Sequence, residues 1–150
     1  MENLLSQWNI SEDEKIIFRN EGLVLKKVDG KPALINPNID LSTPFENMPI
    51  NKQRKIKEYF ENISFNDCTW ESKPNYAIDK TSNNEELMKN GYAPFDENGN
   101  KYELHKIAND PNAPIAELHR NIHRGNEILK RNTVSITDSE RKNYWINRQK

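Results

Sequence analysis

The sequence predicts an α+β domain, and three observations predict it. Two segments have the form Ser/Thr-x-x-Glu that starts helices, at Ser11–Glu14 and Thr137–Glu140. An Asp29-Gly30 dipeptide sits between two short apolar runs, as in a tight hairpin. Elsewhere, short periodic segments alternate with Pro, Gly and Asn rather than forming one long pattern. With 150 residues the chain has the length of one ordinary domain. Hydrophobic residues make up 34% and charged residues 30%, which implies a modest core under a polar, loop-rich surface. Three Trp, five Tyr and five Phe suffice to anchor that core and place the chain outside the disordered regime.

The elements follow in order. Ser11 can accept from the third helical amide while Glu14 reaches back, giving a short helix to about Asn20 that ends near Gly22. Leu23-Val24-Leu25 and Ala33-Leu34-Ile35 flank the Asp29-Gly30 turn, so residues 23–35 read as a β-hairpin. From Asn36 to Pro49, prolines and polar turn residues imply an irregular connection. Lys52 to Ile63 has helical spacing, with Ile56, Tyr59, Phe60 and Ile63 on one face. Residues 64–82 show no period, although Phe65 and Trp70 call for packing. Asn83 or Asn84 caps a short helix through Met88, stopped by Gly91. Phe95, the Asp96–Asn100 turn and Tyr102–His105 read as a second hairpin. Ile115, Leu118 and Ile122 mark the inner face of a helical region. The second capping box starts a final helix containing Tyr144 and Trp145. No repeat or low-complexity stretch separates another domain. The expected organisation is one domain with an N-terminal subregion at residues 1–82 packed on a core at 83–150.

All three histidines, His105, His119 and His123, fall in the final third of the chain, which is also its basic part. Residues 101–150 carry ten Lys/Arg and six Asp/Glu, a net of +4; residues 1–100 carry twelve and seventeen, a net of −5. A basic third suits a polyanion such as nucleic acid, and a mixed solvated surface is the plainer alternative. On a helix His119 and His123, four apart, share a face, and His105 arrives from the preceding strand. Three converging imidazoles can hold a divalent transition metal with an open position for water. Boundary packing is the commoner fate of such a pair. Lys106 can hold phosphate but, at an ordinary pKa of ~10.4, makes a poor general base. Lys130 and Arg131, with Arg120 and Arg124, form either a phosphate-contacting patch or a solvated helix face. No glycine-rich phosphate loop and no GxSxG elbow occurs. Cys68 stands alone, which excludes an intrachain disulfide and a cysteine-rich zinc cluster and fits synthesis in a reducing compartment. No run reaches membrane-span length, and Met1-Glu2-Asn3 does not open a secretory signal. A cytoplasmic location follows, with later delivery or secretion open.

An ordered series of short motifs runs from about Asn83 to Arg148: Asn84-x-x-x-Met88, Gly91-Tyr92-Ala93-Pro94, Asn98-Gly99 and Glu103-Leu104-His105. It continues through Pro114-Ile115-Ala116-Glu117-Leu118, His123-Arg124-Gly125-Asn126, Ile128-Leu129 and Glu140-Arg141-x-x-x-Trp145. In this series the chain resembles the LHH family of HNH/endonuclease VII-type nucleases, which occur as C-terminal domains of bacterial polymorphic toxins, including LXG-type toxins. Leu23–Lys27 through Ile39-Asp40 also resembles the segment preceding this domain in such toxins, with an extra stretch at about 45–78. The resemblance implies a ββα-metal, His-Me-finger-like core with short hairpins and flanking helices. It also implies a divalent cation (Mg²⁺, Mn²⁺ or Zn²⁺) and hydrolysis of a nucleic-acid backbone. In such chemistry the metal polarises the phosphate and a neutral imidazole activates water.

Through the resemblance, His105 matches the first histidine of a doublet, a metal ligand. His123 and Asn126 match the downstream histidine and asparagine of the catalytic loop and helix. The doublet's second histidine, the general base, is Lys106 here, and a later histidine ligand is Lys130. Losing an imidazole base costs ~10²–10⁴-fold in rate, and an ammonium at a ligand position repels the cation. His119 is a candidate substitute ligand. The leading expectation is therefore a toxin-derived nuclease-like protein with a substituted site and lost or weak cleavage. It would retain binding to nucleic acid or to a protein partner of the immunity or antitoxin kind, and would need no metal. The alternative is an active metal-dependent endonuclease of DNA or RNA with a rearranged histidine site. A third reading is a small interaction protein with incidental histidines.

Overall fold

A computed structural model of the chain describes residues 2–62, 81–130 and 134–150, without the side chains of Glu2, Phe60, Glu61, Asn62 and Lys130. The expectations placed on Ile63, Phe65, Cys68, Trp70, Arg131 and the Lys130 side chain lie outside the described residues. The architecture is mixed α+β around a four-stranded sheet.

Two short helices, α1 (Glu2–Gln7) and α2 (Glu12–Asn20), open the chain. Ser11 caps α2 by accepting from the Glu14 amide, as expected. The Glu14 carboxylate does not close the box on the backbone but accepts from the Ser11 hydroxyl at 3.0 Å. The chain turns at Gly22 (φ +70°) into β1 (Val24–Val28) and β2 (Lys31–Ile35). Asp29 and Gly30 both take positive φ, 54° and 75°, the paired left-handed conformation of a type I′ hairpin turn. After a connection with one 3₁₀ turn (Phe45–Asn47) come α3 (Ile50–Asn62) and α4 (Asn84–Lys89), the latter capped by Asn83. Strands β3 (Glu103–Lys106) and β4 (Ile115–Leu118) follow, then α5 (Arg120–Gly125), α6 (Glu127–Lys130) and α7 (Asp138–Arg148).

Two expectations are corrected here. Ile115–Leu118 is a strand, not the start of a helix, and α5 begins only at Arg120. The Asp96–Asn100 turn does not lead β3 back onto a long partner: only the Phe95–Lys101 bridge forms, and β3 pairs with β4. The sheet order is β1-β2-β4-β3, with β2 and β4 parallel and the outer pairs antiparallel. The N-terminal hairpin is thus half of the sheet on which the histidine strand sits.

Alternation along the strands divides two cores between the sheet faces. Leu34, Ala116 and Leu118 point to one face and pack with α1, α2 and α6 through Leu5, Phe18 and Leu129. Ala33, Ile35, Leu104 and Ile115 point to the other, where α7 brings Tyr144 and Trp145. A third cluster of Phe45, Ile56, Leu87 and Phe95 joins α3 and α4. Trp145, Phe18 and Phe45 are fully buried, and each contributes roughly 1.5–3 kcal/mol by removal from water.

Candidate functional site

Strand parity places the site. On β3, Glu103 and His105 are two residues apart and share a face, whereas Leu104 and Lys106 take the opposite one. Antiparallel pairing sets His105 beside Ala116 of β4, and the chain then turns into α5. Two strands followed by a short helix thus carry a histidine on the first strand and another, His123, on the helix. Their rings meet edge-to-face with centroids 5.2 Å apart, and Phe18 of α2 closes over His105 at 6.3 Å.

His105 is 3% exposed, and its Nε2 is buried without a hydrogen-bond partner. Burial, reinforced by the neighbouring His123, pushes its pKa down to about 4, so it is a neutral imidazole at ordinary pH. His123 is oriented instead by Glu103, whose Oε1 lies 3.0 Å from Nδ1. A carboxylate only accepts, so Nδ1 carries the proton. Burial raises the Glu103 pKa, but hydrogen bonds from Arg124 and His123 more than offset this and hold it below the usual range. Arg124 binds Glu103 through both Nε and Nη2, the latter at 2.6 Å.

His119 does not join this pair. It is the residue before α5, not a member of that helix, so the assumed four-residue spacing on one helical face is lost. Its Nδ1 lies 3.0 Å from Glu21 at the end of α2, and its Nε2 lies 2.9 Å from Glu97 in the 96–100 turn. Burial opposes its charge, yet the two carboxylates prevail and raise its pKa. With both ring nitrogens engaged on opposite sides, His119 is an ion-pair bridge, and its candidacy as a metal ligand is not supported by its position. Lys106 is also separate. Its ammonium, 3% exposed, donates to the Pro111 carbonyl and to Glu140 of α7 at 2.6 Å, on the sheet face away from His105. Asn126 ends α5 and donates its amide to the Ile122 carbonyl at 2.7 Å.

The donor set therefore comprises two imidazoles and a carboxylate already bound by His123 and Arg124. The orphaned Nε2 of His105 suits a ligand atom, but no group of three or more His, Cys, Asp or Glu side chains that could hold a metal occurs among the described residues. As placed, these side chains do not complete a metal site.

Beside His123 opens a groove of about 1080 Å³ to which Arg120 and Arg124 contribute, joined by Lys55, Arg141 and Lys142. Of the expected nucleic-acid contacts, Arg120 and Arg124 thus lie at this groove. Glu103 enters the sequence reading only within the Glu103-Leu104-His105 motif, without a role, and Glu21 and Glu97 do not enter it. Glu103 was accessible through its spacing of two from His105 on a strand, but the other two had no local signal.

A two-stranded, one-helix unit with paired histidines beside a groove lined by more cations than carboxylates has the layout of a ββα nuclease core. Residues 83–150 match the LHH family model, described as a nuclease of the HNH/ENDO VII superfamily with conserved LHH. No curated protein and no solved structure matches the chain. The family supports a nuclease-like function, and HNH-type nucleases typically use a divalent metal. Among the described residues no helix is long and apolar enough to cross a membrane.

Proposed function

We propose that this protein is a toxin-derived LHH-type nuclease variant that binds nucleic acid beside His123 and has lost, or nearly lost, metal-dependent cleavage. The observation that carries the reading is the position of Lys106. Where the family resemblance calls for the second histidine of a doublet, an ammonium is turned to the opposite sheet face and tied to Glu140 and Pro111. His105 is then left as the doublet's one imidazole, and the only imidazole beside it among the described residues is His123 of α5. Arg120, Arg124, Lys130 and Arg131 are the proposed phosphate contacts, and Asn126 is a helix-ending remnant of the catalytic segment. A protein partner of the immunity kind, and cytoplasmic residence with or without delivery as a toxin, belong to the same proposal.

The test is binding and cleavage measured together. Labelled DNA and RNA are titrated with the full chain, then incubated with Mg²⁺ and separately with Mn²⁺. The expected result is salt-sensitive binding without appreciable cleavage. Robust cleavage abolished by His105→Ala overturns the reading.

One observation favours the second reading, an active centre: the unpartnered Nε2 of His105 next to His123. Mn²⁺ in a soaked crystal bound jointly by His105 and His123 would support it, and an empty site would count against it.

A further inference from the structure

The shape and wall of the groove narrow the class of nucleic acid that fits it. Pockets of ~300–1,000 Å³ enclose one drug-sized molecule, and at about 1080 Å³ the groove has room for a short stretch of strand. A B-form duplex is read differently, by an element that enters a major groove ~12 Å wide. The short helix at this site is poorly suited to that task. His123 and Arg124 of α5 are both drawn back onto Glu103 and present no unengaged fork to a base edge.

The wall instead combines rings and cations with three carboxylates, Glu58, Glu103 and Asp138, the last two of them engaged by Arg124 and Arg141. Tyr59 and Tyr92 line it, with Lys55, Arg120 and Lys142 around them. Cations follow a phosphate backbone, and aromatic faces stack on any base, the combination by which single strands are held without sequence preference.

A second observation concerns the rigidity of the wall. The Lys101 ammonium lies 4.5 Å from the Phe95 ring centroid, 4.8 Å from Tyr59 and 5.8 Å from Tyr92. It donates to the Ala93 carbonyl at 2.6 Å and has no carboxylate partner among the described residues. Burial pushes the Lys101 pKa down to about 7, so near neutral pH this amine, partly charged, joins α3 to the segment around residues 92–101 through the rings themselves. These contacts, with Phe95 edge-to-face on Tyr59, restrain the rings and so lower the ordering cost of binding.

We propose that the groove is a sequence-tolerant site for single-stranded nucleic acid, with splayed bases against Tyr59 and Tyr92 and phosphates against Lys55, Arg120 and Lys142. This rests on the nucleic-acid-binding reading above and specifies its substrate class. Fluorescence anisotropy of the full chain, with a short labelled single strand of mixed sequence and with the corresponding duplex, tests it. The single strand is expected to bind about tenfold more tightly or better, with log K falling ~0.7 per phosphate contact against log salt. Tyr92→Leu should weaken single-strand binding roughly 5- to 150-fold, the effect of one lost stack. Arg120→Ala, at an exposed position, should make the salt dependence shallower by about one contact. Thermal melts establish that both variants fold, and Arg120→Ala remains decisive if Tyr92→Leu does not. Duplex binding as tight as single-strand binding overturns this inference and leaves the broader reading standing. Single-strand binding unaffected by the folded variants overturns it too, because the site is then elsewhere. Failure to bind any nucleic acid removes both.

Discussion

Arg148→Met tests the support behind the site. Glu117 of β4 is fully buried, and its carboxylate receives four hydrogen bonds. Oε1 accepts from the Asn36 amide at 2.8 Å and from Arg148 Nη2 at 3.3 Å; Oε2 accepts from the Tyr144 hydroxyl and Arg148 Nε, both at 2.6 Å. Arg148 Nη2 also donates to the Asn36 carbonyl at 3.1 Å. Methionine fills much of the arginine stem but leaves a buried anion with two neutral donors. Breaking a buried ion pair in this way costs ~3–5 kcal/mol. At ~2–4 °C per kcal/mol for a chain of this size, Tm should fall by roughly 6–20 °C. Adding Glu117→Gln removes the stranded charge and keeps an acceptor, so the double variant should recover part of the loss and cost on the order of 1–2 kcal/mol. The assay is urea denaturation followed by tryptophan fluorescence, with the equilibrium m-value confirming an unchanged native state. A single variant that costs less than ~1 kcal/mol, or a double variant as unstable as the two singles summed, would refute this account of the network. Because β4 pairs directly with the His105 strand and α7 contributes Lys142 to the groove, loosening this network should also weaken nucleic-acid binding.

Three further outcomes follow from the titrating groups and the parity of β3. His105 has a pKa of about 4 in the fold against about 6.5 unfolded, so its contribution to stability is complete above pH ~6.5 and is lost as pH falls toward 4. At ~1.4 kcal/mol per pH unit that loss is roughly 3 kcal/mol, and denaturation midpoints of His105→Phe should lack this acid-sensitive component. His119 behaves oppositely, because its folded pKa is raised: its contribution is full below pH ~6.5 and disappears as pH rises through the raised value. His119→Gln should therefore cost on the order of 1 kcal/mol at pH 6 and less at pH 9, and an equal cost at both would show that the bridge is not charge-dependent. Lys106→His should restore no Mn²⁺-dependent cleavage, since position 106 faces Glu140 rather than His105. Cleavage gained by that single change would mean that β3 presents residue 106 to the other face.

What the sequence made legible, and what it did not, comes down to the range of the signal. Caps and turns are local, and Ser11, Asp29-Gly30, Asn83 and Thr137 all stand where those rules put them. The cost of reading locally appears at Ile115–Leu118. A run this short fits a buried strand or a helical face equally, because four residues do not resolve the two periods. The deciding feature was nonlocal: Glu117 sits on the α7 side of β4, where partners 27 and 31 residues further along satisfy it. Glu117, which enters the sequence reading only within the Pro114–Leu118 motif, is the buried polar centre of a strand. The same error moved His119 into a helix, because α5 was begun too early. Glu140 shows the limit in reverse, since the position that should complete the α7 capping box instead neutralises Lys106 across the fold. At His105-Lys106 a local rule suffices. Adjacent residues on a strand face opposite ways, so His105 and Lys106 could share a centre only if β3 ended between them. It continues through both, and the pairing of Lys106 with Ile115 keeps it extended there. By that parity, the side chain that accompanies His105 is Glu103 rather than residue 106.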